Sequence, residues 1–159
     1  MENELIKSQR LLLGHGAIVL LAGFAVGFGF VFFLIGEIKL WPFPGSIEYQ
    51  LPGTYDAWRM AHMEGIINGL LLWIFAAVLH SLAPLFTRVY RVAVGMVVAA
   101  WTIVLASIID PFYPDARGLV FSFGENLPND VAFFLFYIGI VIVSVVIVTI
   151  AIRAFRLPK

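Results

Sequence analysis

Long runs of apolar residues alternate with polar stretches along the chain, and four of the runs are long enough to cross a membrane. A spanning helix needs roughly 20 predominantly apolar residues. The four runs extend from about Leu11 to Ile35, Ala57 to Leu85, Val89 to Ile109 and Val131 to Phe155. The pattern predicts an all-α integral membrane protein, a bundle of four transmembrane helices, with residues 1–159 forming a single membrane domain.

Two long connections, residues 36–56 and 110–130, join the first helix to the second and the third to the fourth. Each combines Pro and Gly turn signals with aromatic residues. These aromatic residues form either a belt at the membrane interface or a folded cap over a pocket mouth. They are Trp41, Tyr49, Tyr55, Phe112 and Tyr113. The connection between the second and third helices is short, which predicts that these helices are antiparallel neighbours.

Positive charge is distributed unevenly between the two ends of the predicted bundle. Cytoplasmic segments of membrane proteins carry an excess of Lys and Arg. One end has seven such residues, namely Lys7, Arg10, Arg88, Arg91, Arg153, Arg156 and Lys159. The other end has Lys39, Arg59 and Arg117. We therefore expect both termini to be cytoplasmic, both long connections to be non-cytoplasmic, and the protein to be a multi-pass component of the inner (cytoplasmic) membrane of the cell.

The amino-acid composition excludes several classes of function. The chain is 62% hydrophobic and 13% charged, whereas a soluble domain has about 25% charged residues. The lipid bilayer is therefore the expected partner, and the net charge of zero gives no reason to expect nucleic acid binding. The chain has no cysteine, which excludes disulfides, thiolate catalysis and Cys-ligated iron–sulfur clusters.

Glycine is concentrated in the first predicted helix, at positions 14, 16, 23, 27 and 29. Gly23 and Gly27 are separated by three residues, a spacing that lets two membrane helices approach closely. The pattern has two interpretations. It serves packing within the bundle, or it forms the contact surface of a symmetric homo-oligomer.

The second predicted helix carries Arg59, His62, Glu64 and Asn68 in its first four turns. Polar side chains at membrane depth cost free energy, about 2.5–3.5 kcal/mol for a charged one, so they usually have a partner or a function. Each of three residues also has a purely structural explanation. Asn68 would form a hydrogen bond to another helix, and Glu64 would pair with Arg59 or be protonated. His62 would be a core histidine whose hydrogen bonds are satisfied. Their occurrence together favours a site. Glu64 and Asn68 are four residues apart and share a helix face, while His62 lies to one side.

His62 is the histidine predicted to lie well inside the membrane. His15 and His80 are expected near the cytoplasmic interface, so a metal shared by His15 and His62 is not expected. No zinc-binding spacing occurs in the sequence. A lone intramembrane imidazole in an aromatic, glycine-rich bundle is suited to axial ligation of haem iron.

Several motifs together resemble the styrene oxide isomerase family. They are the early Gly-His-Gly at residues 14–16, the segment with Trp58, Ala61, His62, Asn68 and Gly69, and the segments Arg117-Gly118-Leu119 and Phe123-Gly124 with Asn126. The resemblance implies a membrane isomerase of aromatic hydrocarbon catabolism, a homotrimer that binds haem b near its subunit interfaces and rearranges a hydrophobic aryl epoxide to an aldehyde.

The resemblance also assigns roles to residues. His62 matches the axial histidine that holds the iron, and Asn68 matches an asparagine that contacts the epoxide. Arg59 and Glu64 are predicted to contribute to cofactor binding. Ferric iron with a vacant position would polarise the epoxide oxygen as a Lewis acid, and the Asn68 amide would donate a hydrogen bond to that oxygen. The resemblance also implies a tyrosine late in the third helix that assists Asn68. This chain has Ser107 at that position and its nearest tyrosine is Tyr113, so these two residues are the candidates for that catalytic role. Otherwise the substrate range or the activity differs from that of the family.

Two other functions remain open at this point. One is a b-type cytochrome subunit in quinone-linked electron transfer, which normally requires two axial ligands. The other is a haem-free membrane protein, either an isomerase that uses Glu64 and His62 or a small transporter.

Overall fold

The computed structural model describes residues 2–156 and is built from four long helices. They are α1 Glu2–Ile35, α2 Tyr55–Leu82, α3 Val89–Ile109 and α4 Leu127–Arg156, with a 3-10 helix Ala83–Leu85 after α2 and the two short strands β1 Glu37–Ile38 and β2 Ile47–Glu48. All four long helices are long and apolar enough to cross a membrane. The predicted fold class is confirmed, and the chain is a multi-pass membrane protein.

The predicted helix boundaries agree with the structure to different degrees. The bounds of α3 are those expected, whereas α1 begins at Glu2 rather than Leu11 and α4 at Leu127 rather than Val131. The start of α1 is polar and therefore outside the apolar run, but it is held in place by side-chain hydrogen bonds. Glu4 accepts from the backbone of Tyr90 at 3.1 Å, and Gln9 donates to the Ala76 carbonyl at 3.2 Å.

The two ends of the bundle differ in what they contain. The start of α1, the turn between α2 and α3, and the end of α4 lie together at one end, here called the terminal end; Arg153 there donates to the Leu85 carbonyl. The two long connections lie at the opposite end, here called the loop end. Lys159, one of the seven cations behind the predicted orientation, lies outside the described residues.

Helices α1, α2 and α3 surround a core of aliphatic side chains. The fully buried members with the largest volumes are Leu12, Val19, Leu72, Leu79 and Val104. Helices α2 and α3 are neighbours, as expected, and α4 packs mainly against α3. Because α4 does not close tightly onto α2, an apolar groove remains between them, with α3 as its floor.

Helices α1 and α2 form the closest helix pair, and glycine is the reason. A Cβ on Gly23 would lie 2.8 Å from the backbone carbon of Gly65, and one on Gly69 would lie 2.9 Å from the backbone nitrogen of Leu20. The glycines of α1 therefore serve packing within one chain. The homo-oligomer interpretation of Gly23 and Gly27 was wrong, because both positions face α2 of the same chain.

The two long connections contact each other at the loop end. A Cβ on Gly53 would lie 2.5 Å from the Pro111 carbonyl oxygen, and Trp58 donates to the Pro52 carbonyl at 2.8 Å. The five aromatic residues expected at an interface or in a cap are all exposed. Phe112 also packs edge-on against Trp58, with ring centroids 5.3 Å apart. The connections thus cover the loop end and present aromatic rings outward.

Candidate functional site

The His62 ring lies in the contact between α1 and α2, where the backbone of α1 fixes its orientation. Its Nδ1 is 2.9 Å from the carbonyl oxygen of Gly23. A carbonyl oxygen can only accept, so Nδ1 carries a proton, and the neutral form of the ring then has its free lone pair on Nε2. Nε2 has no hydrogen-bond partner among residues 2–156, and every buried side-chain nitrogen and oxygen there has one. Nε2 is therefore accessible from outside the chain.

Space for the His62 ring is provided by a second glycine of α1. A Cβ on Gly27 would lie 2.8 Å from both Cε1 and Nδ1 of the ring. Carbon atoms in contact are normally about 3.5–4.0 Å apart. Any side chain at position 27 would therefore push the ring away from α1 and from the Gly23 carbonyl.

Glu64 and Asn68 form a hydrogen-bonded pair one turn apart on α2. The Asn68 Nδ2 donates to the backbone oxygen of Glu64 at 2.9 Å and to its Oε2 at 2.9 Å. The shared helix face expected from their spacing is confirmed. The Glu64 carboxyl group therefore has Asn68 as its partner, a pairing that was not among the alternatives expected from the sequence.

Asn68 contributes the polar side chain of the groove between α2 and α4, here called the α2–α4 groove. Its volume is about 260 Å³, and its other lining residues are apolar: Leu71, Leu72, Ile74, Phe75, Val78, Leu82, Met96, Ala100, Val143, Val146, Ile147 and Ile150. The walls thus come from α2, α3 and α4, whereas His62 packs against α1. His62 and Asn68 lie on different sides of α2.

Arg59 is directed toward the loop end, where α2 begins. Its guanidinium group is 3.4 Å from the carboxylate of Asp56, and its side chain is 51% exposed. It also lies over the Tyr55 ring, 5.9 Å from the centroid. The expected alternative of an Arg59–Glu64 pair is not formed, since Asp56 is the carboxylate that Arg59 contacts.

Ser107 and Tyr113, the two candidates for the missing tyrosine, lie nearer the loop end than Asn68. The Ser107 hydroxyl donates to the Ile103 carbonyl at 3.1 Å, and the residue borders a small void with Met60. Met60 precedes Asn68 by eight residues, roughly 12 Å along a helix. Tyr113 lines a polar pocket of about 470 Å³ at the loop end. The structure does not bring either residue next to Asn68.

Asp110 and Arg117 line the same polar pocket as Tyr113. Burial raises the pKa of the Asp110 carboxyl group above its usual value, the nearby Arg117 opposes this rise, and Asp115 adds to it. The pocket therefore combines a partly desolvated acid with a guanidinium group at the aqueous edge of the bundle.

The tautomer of His15 is opposite to that of His62. The indole Nε1 of Trp101 donates to His15 Nδ1 at 3.1 Å. Since an indole N–H can only donate, Nδ1 of His15 is unprotonated and already occupied. His80 is exposed near the terminal end. Among the three histidines, His62 thus combines a position between two helices of the bundle with a ring nitrogen, Nε2, that has no hydrogen-bond partner within residues 2–156.

Two polar residues at the start of α4 were not identified from the sequence as important. Asp130 accepts hydrogen bonds from the backbone nitrogens of Ser122 at 2.6 Å and Gly124 at 2.7 Å, and Asn129 accepts one from Gly118 at 2.8 Å. These bonds anchor the connection that contains the Arg117-Gly118-Leu119 and Phe123-Gly124 segments. Both residues are buried, and the feature that the sequence does show is two adjacent polar residues in the first turn of an otherwise apolar helix.

The chain matches a known protein family along almost its whole length. The sequence pattern of the styrene oxide isomerase family matches residues 8–155. A styrene-oxide isomerase of Pseudomonas fluorescens is 28% identical over 128 residues, covering 80% of this chain and 74% of the relative. The match begins within α1 and ends within α4, and it includes His62 and the residues that line the α2–α4 groove. The chain therefore belongs to the styrene oxide isomerase family and is a membrane-embedded epoxide isomerase.

Proposed function

We propose that the protein rearranges an aryl epoxide to an aldehyde with the help of haem b held by His62. The observation that carries the proposal is the His62 ring itself, with its Nδ1 proton committed to the Gly23 carbonyl and its Nε2 lone pair free. Haem-ligating histidines commonly donate their other ring N–H to a carbonyl oxygen, which fixes the ring and strengthens the ligand.

The surroundings of His62 suit a porphyrin better than a metal ion bound by side chains alone. No cluster of three or more His, Asp or Glu side chains able to hold a metal occurs within residues 2–156. A porphyrin supplies four nitrogen ligands itself and needs one imidazole from the protein. When bound, ferric haem with an open position supplies Lewis acidity toward the epoxide oxygen.

The remaining residues of the chain provide binding and a dry environment. The α2–α4 groove is apolar apart from Asn68, so it accepts an aryl ring from the bilayer and excludes water. Water exclusion matters because the carbon atom that becomes positive when the epoxide opens would otherwise be captured as a diol. The benzylic C–O bond breaks, a hydride moves to the benzylic carbon, and the other carbon becomes the aldehyde carbonyl, with no net oxidation.

Arg59 keeps a proposed role in cofactor binding at the loop end. It is half exposed and lies three residues before His62, so a haem carboxylate would compete with Asp56 for its guanidinium group. Glu64, in contrast, is engaged with Asn68. For Tyr113 and Ser107 we propose that any catalytic contribution requires a contact outside the single chain.

We further propose that the catalytic site is completed between copies of the chain. His62 opens on the α1–α2 side, and Asn68 opens on the groove of α2, α3 and α4. If His62 and Asn68 act on the same substrate molecule, His62 must therefore come from one copy of the chain and Asn68 from another. This agrees with the homotrimer that the family resemblance implies, in the inner membrane of the cell.

The electron-transfer alternative receives less support. A six-coordinate cytochrome normally takes two axial ligands, and His15 is engaged by Trp101 through Nδ1. An isomerase would need a coordination position on the iron that the protein leaves open. A single histidine per haem would leave that position open.

Two variants test the proposal together. His62→Ala is expected to lose bound haem while keeping its helical circular dichroism spectrum, and Asn68→Ala to keep haem but lose turnover of styrene oxide to phenylacetaldehyde. Full haem occupancy in His62→Ala would refute the ligand assignment.

Coexpression of the two variants tests the site between copies. In randomly mixed cyclic trimers about a quarter of the sites would pair an intact His62 with an intact Asn68 from the next copy. We expect activity to return to about that fraction of wild type. No recovery in verified mixed oligomers would place both residues in one chain's site.

A further inference from the structure

The α2–α4 groove continues toward the terminal end of the bundle, well beyond Asn68. Its lining residues on α2 extend to Leu82, fourteen positions after Asn68 and therefore about 21 Å further along the helix. The part lined by Val78, Leu82, Ile147 and Ile150 is here called the terminal half of the groove. Among residues 2–156, no polar side chain other than Asn68 lines the groove. The terminal half therefore suits a hydrocarbon chain.

Arg153 lies across the terminal end of this groove. It follows Ile150 by three residues on α4, so the two side chains share a face of that helix. Its Nη1 donates a hydrogen bond to the backbone oxygen of Leu85, which is three residues after Leu82. The guanidinium group thus connects α4 with the segment that follows α2, at the point where the walls of the groove end.

The guanidinium group of Arg153 has donors left for a further partner. A guanidinium carries five N–H donors, and the bond to Leu85 uses one of them. Arg153 is exposed and forms no salt bridge within residues 2–156. The planar fork of its remaining donors matches the oxygens of a phosphate group. A phosphodiester at the membrane surface is therefore an anion that fits this position.

The terminal end as a whole carries an excess of positive charge. Two carboxylates lie there, those of Glu2 and Glu4, against six described Lys and Arg residues. The six are Lys7, Arg10, Arg88, Arg91, Arg153 and Arg156. Basic pockets between membrane helices bind the head groups of anionic lipids. The charge around Arg153 is therefore complementary to such a head group.

We propose that the terminal half of the α2–α4 groove binds an anionic phospholipid, with one acyl chain between α2 and α4 and the phosphate group at Arg153. Lipid tails already surround the protein, so an apolar groove by itself does not distinguish one lipid from another. The preference for an anionic head group comes from Arg153. The proposal goes beyond the epoxide isomerisation and does not depend on it.

A second copy of the chain is the competing occupant of the terminal half. In a closed symmetric oligomer in a membrane all copies have the same orientation, so their terminal ends lie at the same membrane surface. A neighbouring copy would therefore bring the same excess of cations close to Arg153, and like charges repel each other. An anionic lipid neutralises Arg153 instead, so the charge pattern favours the lipid.

Lipid binding to the purified holoprotein tests the head-group preference. Native mass spectrometry of delipidated protein in detergent measures its affinity for phosphatidylglycerol and for phosphatidylcholine with identical acyl chains. One Arg near the membrane surface contributes a preference of about fivefold for the anionic lipid. We expect this preference for the first lipid bound by the wild-type protein, and its loss in Arg153→Gln. Arg10→Gln is the matched control and should keep it, because Arg10 is also exposed at the terminal end but lies on α1, which does not line the groove.

A second pair of variants tests the place of the acyl chain. Val78 and Val148 are 43% and 54% exposed, and of the two Val78 lines the groove. Val78→Trp is expected to fill the terminal half and to weaken phosphatidylglycerol binding several-fold, whereas Val148→Trp should leave it unchanged. Inorganic phosphate has no acyl chain and should not displace the lipid at equal concentration.

Equal affinities for the two lipids in the wild-type protein would overturn the proposal, as would an unchanged preference in Arg153→Gln or unchanged binding in Val78→Trp. Displacement by inorganic phosphate would show that Arg153 holds a free anion and would also overturn it. A photoreactive benzophenone side chain in place of Val78 identifies the occupant in native membranes: a covalent lipid adduct supports the proposal, and a cross-linked second chain contradicts it. None of these assays measures epoxide turnover, so a failure here leaves the proposed function intact.

Discussion

Replacing Gly27 with Ala changes the His62 ring without altering any atom of the ring itself. The added Cβ would lie 2.8 Å from Nδ1 and Cε1, whereas carbon contacts are about 3.5–4.0 Å. The ring must therefore move outward by roughly 0.7 Å or more. Such a shift lengthens the 2.9 Å contact with the Gly23 carbonyl to about 3.6 Å, beyond the range of a hydrogen bond.

The expected effect on haem binding follows from that lost hydrogen bond. The bond fixes the tautomer with a free Nε2, and loss of such a partner typically weakens metal binding about 10–100-fold. We expect Gly27→Ala to raise the dissociation constant for haem within that range. The assay is a haem titration of the haem-free protein in nanodiscs, followed by absorption near the Soret band.

A matched control is available on the same helix. A Cβ on Gly14 would have no atom within 4 Å, so Gly14→Ala should leave haem affinity unchanged and raise helix stability slightly. Equal haem affinity of Gly27→Ala and wild type would refute the reasoning, as would equal losses in the two alanine variants.

Three further predictions concern stability and the connections. Gly65→Ala should lower the thermal unfolding midpoint in detergent, by an amount corresponding to about 1–3 kcal/mol, because its Cβ would overlap the backbone of Gly23; an unchanged midpoint would contradict the close α1–α2 contact. Burial raises the pKa of Asp110, so the folded state binds its proton more tightly, and stability should fall as pH rises from the usual Asp pKa to the raised one. Asp110→Asn should flatten the stability–pH curve between these two pKa values, and a curve with the wild-type slope would contradict the raised pKa of Asp110. Asp130→Ala removes the acceptor for Ser122 and Gly124 and should speed proteolysis within residues 117–126, compared with the remote variant Thr149→Val; equal cleavage rates would show that these bonds do not hold the connection.

The membrane helices were predictable because lipid imposes a simple rule on composition and length. The bounds of α3 follow from its apolar run alone. The first nine residues of α1 could not be found in this way, since they are polar and are stabilised by contacts such as Glu4 with Tyr90 and Gln9 with Ala76. Hydropathy identifies the segments that lie in the bilayer. It does not identify helical segments that are stabilised by hydrogen bonds at the membrane surface.

The candidate site was partly predictable from helix periodicity. The spacing of Glu64 and Asn68 placed them on one face, and their hydrogen bond follows from it. The spacing could not reveal that His62 packs against Gly23 and Gly27 of another helix, because that contact depends on how α1 and α2 cross. The contact between α1 and α2 also decides between the two interpretations of the α1 glycines, packing within the chain and contact between chains.

The donors and acceptors of the side-chain hydrogen bonds could not be predicted from the sequence. Both hydrogens of the Asn68 amide are donated to Glu64, a contact that a residue pattern does not specify. The roles of Asn129 and Asp130 were missed because they bond the backbone of a connection with positive φ at Gly118, Phe123 and Gly124. Such backbone geometry has no simple periodic signal.

The absorption spectrum of His62→Gly, recorded with and without added imidazole, tests the assignment of His62 most directly. We expect the purified wild-type protein to have a Soret band, the variant to lack it, and imidazole together with haem to restore it, because the free base then occupies the place of the missing ring. A variant that keeps the wild-type band without imidazole would contradict the assignment of His62 as the residue that holds the iron.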